Sequence, residues 1–135
     1  MKKLFLTVLT VMFLLIPVFG FTADKTLNFV WEQPTIATDY LSGWVLYQSN
    51  TAGSGYVKVT DVPYAGTPTA TYTTSAVLVV TGTPGSTVTK YFVLTAKGQD
   101  GVESVYSNEV NQVFAIPYPV PTAPFNLIIK VTVAP

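Results

Sequence analysis

Residues 88–114 read VTKYFVLTAKGQDGVESVYSNEVNQVF, and the fold turns on how this stretch divides. Phe92, Leu94 and Ala96 alternate with Tyr91, Val93, Thr95 and Lys97. That period of two belongs to a strand with two different faces. "QDG" (99–101) then supplies a tight turn, because Gly tolerates the positive φ that hairpin turns demand. "ESVYSNEVNQVF" (103–114) returns as a second strand. Two such strands make an antiparallel hairpin, which is not stable until its apolar face is covered by something else.

Outward from this hairpin the same signals repeat. "TLNFVWEQ" (26–33) sets Leu27, Phe29 and Trp31 on one face, and "GWVLYQS" (43–49) follows a polar loop. "TAGSG" (51–55) turns into "YVKVTDV" (56–62), and "PYAGTPT" (63–69) leads to the β-branched run "ATYTTSAVLVV" (70–80). "TGTPGST" (81–87) turns once more. No window holds a helical period. Short strands between Gly- and Pro-rich turns predict an all-β, two-sheet antiparallel β-sandwich of about seven strands. Its expected core is Leu27, Phe29, Trp31, Trp44, Leu46, Leu78, Val80, Phe92, Leu94, Ala96 and Val110.

The first residues obey other rules. Lys2 and Lys3 precede the apolar run "LFLTVLTVMFLLI" (4–16), Pro17 interrupts it, and the small residues Gly20 and Ala23 follow. This is the pattern of a secretory signal peptide, 1–20 or 1–23, with an uncleaved anchor as the rival because the apolar stretch approaches spanning length. Cleavage is the expectation, with the chain secreted, periplasmic or at the cell surface and no membrane attachment afterwards. The rest divides into a sandwich over 24–115, a Pro-rich linker over 116–124 and a strand-like segment over 125–133.

Composition narrows the chemistry. The chain has no Cys, no His and no Arg, and its seven Lys are scattered among seven acidic residues. There is no basic patch for nucleic acid. The usual general bases, thiolate nucleophiles and zinc arrangements are absent, so the reading is no enzyme, no metal and no cofactor. The nearest pair of carboxylates, Asp100 and Glu103, straddles Gly101 in the hairpin turn, where turn geometry is the better account.

"LSGWVLYQS" (41–49), followed by "TKYFVLTAKGQDGVESVYSNEV" (89–110), resembles a fibronectin type III domain of the bacterial and phage-associated secreted kind. Trp31 in "FVWEQP" matches the Trp of that family's second strand, and Trp44 matches an aromatic of its third. The resemblance covers roughly 26–115 and departs at Lys90, which stands where the family carries a buried corner tyrosine. It implies an immunoglobulin-like sandwich used outside the cell for adhesion, for spacing between domains, or for attachment to protein or carbohydrate.

Two surfaces follow as expectations. Val45 and Tyr47 on one strand, with Tyr91 and Val93 on its neighbour, point away from the expected core and would form an exposed apolar strip for a protein partner. Alternatively, Trp44, Tyr47, Tyr56, Tyr64 or Tyr106 would stack on a glycan. The last expectation concerns "PTAPFNLIIKVTVAP" (121–135), in which Phe125, Leu127, Ile129, Val131 and Val133 alternate with Asn126, Ile128, Lys130 and Thr132. It is similar to the family's first strand, for which there is too little chain ahead of "TLNFVWEQ". The segment is therefore expected to fill the first-strand slot, in cis or by self-assembly in trans.

Overall fold

The computed structural model describes residues 20–34 and 40–124. They form six strands: β1 Phe21–Trp31, β2 Leu41–Ser49, β3 Val57–Pro63, β4 Tyr72–Gly82, β5 Thr87–Gly98 and β6 Val110–Ala115. One sheet has the order β1-β4 and the other β3-β2-β5-β6, and every pairing is antiparallel. The molecule is all-β, with no helix among the described residues. The expected seventh strand, 125–133, lies outside the described residues, as do residues 1–19 of the signal peptide.

Alternation along β1 and β4 builds one wall of the core. On β4, Ala76, Leu78 and Val80 are buried while Val77 and Val79 stay 63% and 59% exposed. Facing them from the larger sheet are Leu46, Phe92 and Phe114, with Ile116 just past β6. Phe29 meets Phe92 edge-on across the gap, with ring centroids 5.1 Å apart. At the Trp31 end of β1 the core finishes in aromatic rings: Trp44 packs against Trp31, Tyr64 and Tyr72. Trp44 Nε1 donates to Gln33 Oε1 at 3.2 Å, so this buried indole has its partner.

Several boundaries shift from the sequence reading. β1 begins at Phe21, not at residue 26, because Phe21 through Lys25 pair with Gly82 through Leu78. The last strand begins at Val110, not at residue 103; the stretch before it runs beside β5 by another route. The core also extends past residue 115 to Ile116. Val110 belongs to the expected core but is 49% exposed, although it pairs with the buried Phe92. It faces the open space described below. The "QDG" turn forms as expected, with Gly101 at φ 83° and its N–H donating to Gly98 O at 3.0 Å.

The outer face of the larger sheet brings the main correction. Val45 and Val93 point away from the core yet are 0% and 4% exposed, so they form no exposed strip with Tyr47 and Tyr91. In the register Val45 stands between Asp61 and Thr95, and Val93 stands beside Tyr47. Asp61 pairs with Lys58 and Lys97, while Tyr47 and Thr95 both bond Glu103. Long side chains tied in this way lie along the sheet and cover the small valines with their stems.

Candidate functional site

The segment 103–109, ESVYSNE, runs along the part of β5 that β6 does not reach. Ser104 N–H donates to Ala96 O at 2.8 Å, and Ser104 Oγ accepts from Ala96 N–H at 2.9 Å. Three residues on the arrangement repeats: Ser107 N–H donates to Leu94 O at 2.8 Å, and its Oγ accepts from Leu94 N–H at 3.0 Å. Each serine thus satisfies both backbone groups of one β5 residue, the work a regular strand divides between its N–H and C=O groups. The segment is a strap with a serine at each contact.

A carboxylate pins each end. Glu103 accepts from Tyr47 OH at 2.7 Å and from Thr95 Oγ1 at 2.6 Å. Glu109 accepts from Gly53 N–H at 2.8 Å and from Tyr56 OH. Thr95 first, then Tyr47, hold the Glu103 carboxyl below the usual carboxylate range, and Tyr56 does the same for Glu109. In return the hydroxyl of Tyr47 is pushed up to about 12, chiefly by its bond to Glu103. Tyr106 sits between the two pins, its ring 5.5 Å from Tyr47 and 5.0 Å from Tyr56.

The aromatic residues expected to contact a glycan therefore divide into two groups. Tyr47, Tyr56 and Tyr106 share the outer face, whereas Trp44 and Tyr64 belong to the buried cluster near Trp31. The outer three meet at interplanar angles of 69° and 58°, so they are not a flat platform, and two of their hydroxyls are committed to Glu103 and Glu109. Tyr91 is half-buried between Ser49 and Asn111 in the register. Asp100 caps the hairpin turn by accepting from Val102 N–H at 3.0 Å, and Glu103 holds Tyr47 and Thr95 through Oε2. Among the described residues no three metal-ligating side chains come together.

Beside the strap opens a groove of about 630 Å³. One wall is Phe29–Gln33, at the end of β1, and the other is the strap itself, Ser104–Asn108, with Val110. The floor is Trp44, Leu46, Phe92 and Leu94, side chains of the core's open side. The groove meets the last three residues of β1, Phe29–Trp31, and that strand has β4 as its sheet partner on one side and none on the other among the described residues. Trp31, on the rim, has a buried Nε1 with no hydrogen-bond partner. Sequence reading placed Phe29, Trp31 and Leu94 in the core but missed the two serines and Glu109. Their signal was the spacing E-S-x-x-S-x-E, which has no strand or helix period.

No family model, curated protein or solved structure matches the chain.

Proposed function

We propose that this chain is a secreted, non-catalytic module of the immunoglobulin-like, fibronectin type III kind, which attaches or spaces polypeptides at the cell surface through the open groove along β1. The strand order supports the kind of sandwich. An immunoglobulin-like domain keeps its second and fifth strands adjacent in one sheet and its third, sixth and seventh in the other, with an extra strand beside the third in some members. β1-β4 and β3-β2-β5-β6 correspond to that plan without its first strand. The groove carries the functional reading. It is lined by apolar side chains and bounded by a strand edge that has no partner among the described residues, the two features by which extended polypeptides are bound as added strands.

A photo-crosslinking residue at Val105, on the groove wall, tests the reading on intact cells, with Val79 on the far face of β4 as control. Capture of polypeptide from position 105 but not 79 is expected. Equal capture from both positions, or none, overturns it. Export is checked by the N-terminus of the protein recovered outside the cytoplasm. It should be Phe21, because a cut after Ala23 would remove three residues that pair with Gly82, Thr81 and Val80. A glycan module remains the second reading, favoured by two carboxylates beside three tyrosines; glycan binding abolished by Tyr106→Ala would establish it.

A further inference from the structure

We infer that the groove along β1 accepts residues 125–133 of a second copy of this chain, so that molecules join head to tail. This rests on the groove being the attachment surface, and it names the partner.

Geometry selects the second copy. The chain leaves β6 at the pole where β1 begins: Ile116 packs against Gly82, and Gly82 pairs with Phe21. The groove lies at the other end, beside Phe29–Gln33. A strand entering antiparallel to β1 must start there. β1 has eleven residues, a span of about 33 Å at about 3.3 Å per residue. From Ile116 to Phe125 the Pro-rich linker advances nine residues, about 28 Å at about 3.1 Å each, even when straight. The segment therefore approaches the start of its own groove in the antiparallel sense only with the linker held straight, a taut closure. A molecule stacked below presents its groove without that constraint.

Chemistry fits the same occupant. Each pairing in both sheets is antiparallel, the slightly more stable arrangement per residue. Pro117, Pro119, Pro121 and Pro124 stiffen a linker whose residues are exposed throughout 117–124, and its Tyr118 packs on Gly85 at the β4–β5 turn, which keeps the start of the linker at the pole opposite the groove. The alternation of Phe125, Leu127, Ile129, Val131 and Val133 offers one apolar face to the accessible apolar lining of the groove, Phe29, Trp31, Leu94 and Val110. A strand carbonyl at the rim would also give the buried Trp31 Nε1 an acceptor. Such a contact joins two different surfaces and does not close on itself, so it propagates into filaments.

The test mixes mature chains grown on light and heavy nitrogen, cross-links them, and maps the links while the mass in solution is followed across a concentration series. Expected are mixed light–heavy links between 125–133 and the groove walls, with a mass that grows with concentration. The L127D/I129D double variant should stay monomeric at every concentration. Links confined to one isotope at constant monomer mass would show the chain filling its own groove and overturn the inference. Constant monomer mass with no link to 125–133 would overturn it too. If Val105 still captures a different polypeptide in that case, the attachment reading stands and only the identity of the partner falls.

Discussion

Two sheet edges in this molecule are treated in opposite ways. The edge of β5 past Phe92 is closed by chain only a few residues away, through Ser104 and Ser107, and locked by Glu103 and Glu109. The edge of β1 carries eleven residues and has no partner on its groove side among the described residues. The difference is one of length and of sequence distance. A strap of seven residues can satisfy two β5 positions with hydroxyls because a hairpin turn delivers it to the spot. Among the described residues no such chain lies beside β1, and an edge of this kind is met by a strand from elsewhere in the sequence or from another molecule. Unprotected edges of that length are a liability that proteins cover.

The sharpest way to break this contrast is to remove the floor that the open edge overlooks. Trp44→Ala is expected to cost about 3–5 kcal/mol, as large aromatic truncations in cores do, read by urea denaturation. Trp31→Ala, at the half-buried rim, should cost less. Equal losses would mean that the rim is as closed as the floor and that β1 is not an open edge. Next comes the closed edge. Ser107→Ala removes the partner of the Leu94 N–H, and Ser104→Ala that of the Ala96 N–H, each at about 0.5–1.5 kcal/mol because both bonds are exposed to water. Hydrogen exchange at those two amides should accelerate selectively. Uniform acceleration across β5 would instead mean that the serines only stabilise the whole domain.

A smaller effect lies in the pins. Both carboxyls are held below their ordinary value, so their contribution is present above the unfolded pKa of about 4.3 and is lost as pH falls through the lower folded value. Tyr47 has the opposite sign. Its pKa is raised to about 12, so its contribution is complete below the unfolded value near 10 and disappears as pH rises through about 12. E103Q should flatten the acid limb of a stability–pH profile, and Tyr47→Phe the alkaline limb. Limbs of unchanged slope in both variants would unseat the pins. Least of all should come from Asp61→Asn, because the pairs with Lys58 and Lys97 are solvent-exposed and screened; the melting temperature is expected to stay where it was.

The sequence was most legible where a residue's neighbours in space are its neighbours in pattern. Leu78 and Val80, Trp44 and Leu46, and the "QDG" turn all follow from alternation and from the backbone freedom of Gly101. Val45 and Val93 obey the same alternation and were still misread as exposed. Alternation says which face a side chain takes, but not what lies on that face. On the small sheet Val77 and Val79 have no such layer over them among the described residues, whereas on the large sheet the linked side chains of Lys58, Asp61, Lys97, Tyr47 and Glu103 lie on the same face as the buried valines.

Period and turn chemistry alone therefore determined that this chain is all-β, where most of its strands lie and which residues form the centre of its core, because those properties depend on contacts between residues close in sequence or repeated along it. Only the tertiary structure decided that serines stand in for a strand beside β5, that two glutamates hold them there, and that Val110 and Trp31 look into a groove. These depend on which strands stand side by side, and Glu109 reaches Gly53 across a separation of 56 residues that no local pattern records.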